Sequence, residues 1–212
     1  IARQPREQRD AHYDRAFFWF NILLFSLAVG ITVSVRPVLA VITGPAFHSA
    51  AGLVPIILAA YIFQAWSEAA KFQVDMSEKT LYFAKAQWLS VVIIMALYAL
   101  LIPPFGAAGA AWATLLAFAA RQAILHYQTQ KLWPISFRWR RLGLLWFLAV
   151  AVGAPAMLLP VRGIAPQLVL GTALYGVWLG LLWVVLLEAE EKADLKLALR
   201  SPGSALKALA AS

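Results

Sequence analysis

The sequence predicts an all-α integral membrane fold of about six transmembrane helices arranged as three hairpins. Three observations carry this. The 212 residues are 62% hydrophobic and only 13% charged, about half the charge of an ordinary soluble domain. Six apolar runs follow one another, each close to the ~20 residues that a helix needs to cross a bilayer. The basic residues gather in alternate loops, as the positive-inside rule requires of a multi-pass protein. Mean hydropathy is +0.74.

The spans are bounded by charges, prolines and glycines. The first runs over 16–35, between Arg15 and Arg36. The second covers 53–72, with Glu68 and Lys71 near its end. The third, 86–102, starts after Lys85 and stops at Pro103. The fourth, 107–127, is interrupted by Arg121, and 142–159 and 168–187 are the fifth and sixth. Short turns rich in Pro and Gly at 43–52, 103–106 and 160–167 close the three hairpins. This repetition at the level of hydropathy is of the kind transporters show. Residues 1–15 form a cytoplasmic segment, 16–187 the bundle and 188–212 a cytoplasmic tail, with a short interfacial helix expected up to Pro202 and Gly203. The chain opens at Ile1 on a polar stretch with none of the features of a signal peptide. It is read as a piece of a longer protein cut in a cytoplasmic loop.

All but two of the 18 basic residues, Arg36 and Arg162, fall on one side of this plan. That side is cytoplasmic, so both termini of the segment are expected inside. The net charge of +8 is thereby explained without nucleic acid, because the charges are scattered over separate loops and form no binding stripe. Enzyme signatures are missing. There is no cysteine, and His12, His48 and His126 are too far apart in sequence to make a metal motif. The outer loops carry no Asp or Glu to act as acid or base. The Gly106 to Gly109 segment has no phosphate-loop context. No enzyme activity, metal or cofactor is expected. A membrane glycosyl- or acyltransferase would need the outer carboxylates that are lacking.

Polar residues inside the spans are the candidate site. The apolar part of the fourth span before Arg121 is short, ~21 Å at 1.5 Å per residue, against a core of ~30 Å. Arg121 is therefore expected within the membrane, toward the cytoplasm. Thr114, Arg121 and Gln128 recur at seven-residue spacing and share a face. Two readings stand side by side. Arg121 snorkels to the headgroups, or it faces inward and lines a polar cavity. On the second span Gln64, Ser67, Glu68 and Lys71 make a stripe that Tyr61 extends. It is either an interfacial Glu68–Lys71 pair or one wall of a polar cavity open to the cytoplasm. Asn21 and Ser26 of the first span could face that space. The fifth and sixth spans are apolar nearly all round and are expected at the lipid-facing periphery. Small residues at Gly106, Ala110 and Thr114, and at Gly109 and Ala113, read as packing steps.

Two segments resemble a known family. "IPPFGAAGAAWAT" (102–114) is similar to a recurrent pattern of Wzx-type oligosaccharide flippases of the MATE-like superfamily, in which a helix ends in Pro and Gly-x-x-Gly-Ala-Ala-x-Ala-Thr opens the next. "ITGPAFHSAAGLVPIIL" (42–58) is similar to the preceding outer loop of that family. The resemblance covers about 13–159. It implies the C-terminal lobe of a two-lobed flippase. Such a protein moves an undecaprenyl-pyrophosphate-linked oligosaccharide across the bacterial inner membrane by alternating access, for surface polysaccharide such as O-antigen, exopolysaccharide or capsule. The partners it implies are the lipid-linked oligosaccharide, membrane lipids and a missing N-terminal lobe of the same protein. Acidic residues typical of the cation-coupled drug exporters have no clear counterpart here. The alternative within the same class is a MATE-like exporter of another amphipathic solute. Substrate-cavity candidates are Arg121, Glu68, Lys71, Gln64, Thr114 and Asn21, with Arg121 and Lys71 placed to meet a pyrophosphate.

Overall fold

The computed structural model describes residues 6–76, 81–132, 139–161, 163–189 and 191–192. Every regular element among them is helical: α1 (Arg6–Ile42), a 3-10 helix (Pro45–Leu53), α2 (Val54–Met76), α3 (Leu81–Leu132), α4 (Trp139–Leu158) and α5 (Ile164–Leu181), which continues into a π turn (Leu182–Leu186). Five helical stretches are long and apolar enough to cross a membrane. The chain is a multi-pass membrane protein. α1 begins at Arg6, so it runs through the boundary expected at residue 16, and it continues past Val35 to Ile42 with Pro37 inside it. Most of the tail expected to lie on the membrane surface falls outside the described residues.

α3 departs most from expectation. In place of two helices joined by a turn at 103–106, helical geometry persists through Pro103 and Pro104 and breaks at one residue, Gly106 (φ 54°, ψ −130°). Only glycine adopts such a backbone without strain. The chain doubles back there. The Tyr98 hydroxyl lies 3.0 Å from Thr114 Oγ1, whereas a straight helix would hold these residues ~24 Å apart. A Cβ on Gly109 would collide with the carbonyl oxygen of Leu101. The two arms of α3, 81–105 and 107–132, therefore lie against each other.

α1 is the centre of the bundle and packs on α5, α4 and α2, while α3 leans mostly on α2. Lipid is as apolar as leucine, so helices in a membrane associate through close packing and cross-helix hydrogen bonds rather than by hiding from water. Both devices are present. Phe25 meets Trp146 edge-on at 5.0 Å, and Phe63 stacks on Trp146 at 5.6 Å. Gly171 of α5 sits against the Val33 carbonyl of α1, the carbonyl whose helical partner Pro37 cannot supply. Trp178 is fully buried, and its indole N–H donates to Ser26 Oγ at 3.1 Å. α4 and α5 are thus less peripheral than their uniform apolarity suggests. Leu145 and Trp178 are among the largest fully buried side chains of the molecule, although Phe147, Val150, Val169 and Val177 remain exposed. The first arm of α3 is the peripheral element, with Trp88, Val92, Met95 and Leu100 all exposed.

The ends of α4 are fastened by arginines. Arg36 donates to the carbonyls of Met157 (2.5 Å) and Leu159 (3.2 Å), satisfying acceptors that a helix C-terminus leaves open. At the other end Arg141 pairs with Glu188 and with Glu191 (2.8 Å) and lies over the Phe18 ring. That cluster ties the start of α4 to the end of the α5 segment and to α1.

Candidate functional site: a buried arginine between α2 and α3

α2 and the second arm of α3 both carry their polar residues about four turns from their first residue. Glu68 is fourteen residues on from Val54, and Arg121 is fourteen on from Ala107. Each therefore stands ~21 Å along its helix, and the two meet. The Arg121 guanidinium donates from Nη1 to Gln64 Oε1 at 2.7 Å and from Nη2 to Glu68 Oε1 at 3.3 Å. Gln64 Nε2 donates to the same Glu68 oxygen at 3.1 Å. Three side chains thus close a ring of hydrogen bonds in which the glutamine serves both charges.

Their environments are unequal. Arg121 is 3% exposed and Glu68 51%. Arg121 occupies a buried row of α3 with Gly109, Ala113, Ala117, Leu125 and Thr129, at four-residue spacing. Gly109 of this row admits the Leu101 carbonyl of the first arm, and α3 otherwise packs chiefly on α2. Glu68 lies on an outward stripe of α2 with Ile57 and Tyr61, both exposed, while Gln64 is half-buried beside it. The Tyr61 ring meets Phe118 edge-on at 6.5 Å. A guanidinium inside an apolar bundle has a large desolvation cost unless it is paired and hydrogen-bonded, and here it is both.

Of the residues singled out from sequence, Arg121, Gln64 and Glu68 come together. Thr114 does not join them. Its hydroxyl is used by Tyr98 and by the Ala110 carbonyl (2.9 Å), so it serves the α3 hairpin. Asn21 is fully buried between α1 and α2, donating to the Phe17 carbonyl at 2.7 Å and accepting from the Trp66 indole at 2.6 Å. It joins helices and does not line an opening. The side chain of Lys71 lies outside the described residues. Ser67, from the same α2 stripe, is fully buried and donates to Gln122 Oε1 at 3.0 Å and to the Phe63 carbonyl at 3.1 Å.

Gln122 and Trp66 were missed from sequence. Trp66 could have been found by asking where a buried indole N–H goes, since Asn21 is the one amide of the first span. Together Asn21, Trp66, Ser67 and Gln122 make a polar seam through the α1, α2 and α3 contact, beside the Arg121 ring. Toward the end of α2 the seam opens into a crevice lined by Tyr13, Phe17, Gln122, His126 and Thr129, with room for about one water molecule.

Neither family models, curated proteins nor solved structures give a match to this chain.

Proposed function

We propose that the chain is the C-terminal lobe of a Wzx-type flippase, in which six membrane crossings in three hairpins form one wall of a central cavity. The two arms of α3 are separate crossings, joined at Gly106 on the periplasmic side, and both termini are cytoplasmic. The protein carries an undecaprenyl-pyrophosphate-linked oligosaccharide outward across the bacterial inner membrane by alternating access, for surface polysaccharide assembly. The carrying observation is the ring of Arg121, Gln64 and Glu68 at ~21 Å helix depth, with the carboxylate on an outward stripe. An ionised side chain turned toward hydrocarbon costs about 2.5–3.5 kcal/mol at the bilayer centre on insertion scales and less toward the edge, where a depth of ~21 Å in a ~30 Å core puts this ring. Such residues instead face protein or a water-filled cavity. An arginine there presents a forked donor that matches phosphate oxygens better than a lysine does.

The test is complementation of a flippase-null strain by the full-length protein at matched membrane levels. Arg121→Lys lowers polysaccharide export, and Arg121→Ala or Arg121→Glu nearly abolishes it. Full export by Arg121→Ala removes the substrate role. Residues 1–212 alone give no export, because the facing lobe is needed to close the cavity; restored polysaccharide from this segment would overturn that. Single cysteines at Arg3 and Lys207 react with an impermeant thiol reagent only in opened cells, and one at His48 reacts in intact cells. Labelling of the Lys207 position from outside would reverse the topology.

A further inference from the structure

Resting on the flippase reading, we infer that Glu68 is an internal stand-in for the transported diphosphate: it occupies the anion position on Arg121 in the empty protein and is displaced when the ligand arrives.

The geometry distinguishes a holding partner from a replaceable one. Gln64 Oε1 takes Nη1 at 2.7 Å. Glu68 takes Nη2 through one oxygen at 3.3 Å, longer than the 2.7–2.9 Å of a strong charge-assisted bond and without the two-pronged match of carboxylate to guanidinium. Arg121 is pinned by burial, while Glu68 is half exposed. The carboxylate can swing away without vacating a packed position; the arginine cannot. Displacement therefore leaves the cation in place and opens its outward side, next to Tyr61 and Gln64.

Electrostatics explains why such a stand-in belongs here. A guanidinium in a low-dielectric wall is costly without an opposite charge beside it, and Glu68 supplies one. A diphosphate presents more negative charge and several oxygens, so it outcompetes one monodentate carboxylate. Once displaced, Glu68 is a negative charge close to a negative ligand, and it favours departure. The empty and loaded states then differ by an exchange of one anion for another. Apparent affinity is reduced by the fraction of time Glu68 occupies the site.

The experiment uses the full-length protein in phosphatidylcholine nanodiscs, with intrinsic tryptophan fluorescence as readout. Farnesyl pyrophosphate is the probe for a lipid-linked diphosphate, and inorganic pyrophosphate is the second arm. Glu68→Gln keeps the acceptor for Gln64 and removes the charge. It should bind farnesyl pyrophosphate about fivefold more tightly than the parent, the ratio expected for a partly exposed ion pair. Glu68→Ala, which removes the side chain entirely, should tighten binding too. Arg121→Ala should weaken it at least as much. Unchanged or weaker binding by both Glu68 variants, with Arg121→Ala impaired, overturns the stand-in and leaves the flippase reading in place. Parental binding by Arg121→Ala overturns the reading itself. Tightening seen with inorganic pyrophosphate alone supports displacement but overturns the lipid-linked source of the ligand.

Discussion

α1 and α2 both turn a stripe of residues away from the bundle, and the two stripes differ in kind. On α1 it is Phe20, Leu23, Leu27 and Ile31, wholly apolar. On α2 it is Ile57, Tyr61 and Glu68, flanked by Gln64. Both helices are long and apolar enough to cross a membrane, so that criterion does not separate them. What separates them is the medium each stripe suits. The α1 stripe fits lipid, in which no backbone or side-chain polar group finds a partner. The α2 stripe fits a surface that supplies water, a ligand or another protein. On the flippase reading proposed above, the α1 stripe belongs on the outside of the protein and the α2 stripe on its cavity side.

The largest effect expected from this contrast is on insertion and accumulation. Leu27→Asp exchanges a favourable residue for a charge at the middle of α1, a change of about 3–4 kcal/mol on the insertion scale. It should sharply lower the amount of protein recovered from membranes. Tyr61→Asp, on the α2 stripe, should leave that amount near the parental level. Equal losses at both positions would put the two stripes in the same medium.

Next in size is the seam joining α1 to α2. Asn21→Leu leaves the buried Trp66 indole N–H without its acceptor and should lower the melting temperature of the detergent-solubilised protein. Cross-helix hydrogen bonds in membranes average about 0.6 kcal/mol and reach about 1.7. The short, fully buried Asn21–Trp66 contact belongs toward the upper end. Trp66→Phe in the Asn21→Leu background should add little, since the pair has already been broken.

The smallest effect concerns the α3 hairpin. Tyr98→Phe removes one hydroxyl contact with Thr114, whose own bond to the Ala110 carbonyl survives. It should shift the melting temperature only slightly, whereas Gly106→Ala forces a side chain into a positive-φ conformation and should cost more. A larger shift from Tyr98→Phe than from Gly106→Ala would contradict the account of the turn.

Much of this was legible in the sequence, for physical reasons that also mark where it stops. Runs of apolar residues announce helices of membrane length because the bilayer fixes the scale. The burial of Arg121 agrees with the inward-facing of its two readings, whereas its bonds to Gln64 and Glu68 were not foreseen, since the polar faces of the second and fourth spans are derived separately. Partner choice was not legible. Thr114 shares a face with Arg121 by periodicity, yet the reversal at Gly106 brings Tyr98 to it first. Asn21 looked like a cavity residue because it is polar, but a buried indole one helix away claims it. The sequence also placed α4 and α5 at the periphery from their uniform apolarity. Uniformly apolar helices give no sign of which face is packed, and here Leu145 and Trp178 turn out to lie in the core. The Arg141 cluster with Glu188 and Glu191 was invisible because its members are far apart in sequence and their loops were read only for sign of charge.

On the proposed function the α2 stripe faces an aqueous cavity and the α1 stripe faces lipid. These 212 residues contain no cysteine, so a direct measurement is available: single cysteines at Tyr61, Gln64, Leu23 and Leu27, in a full-length protein cleared of any cysteine outside this segment, reacted in membranes with a small water-soluble methanethiosulfonate. Reaction at the Tyr61 and Gln64 positions, slowed by farnesyl pyrophosphate, with little at Leu23 and Leu27, is the predicted result. Unreactive cysteines on α2, or equal reaction on both helices, would contradict it.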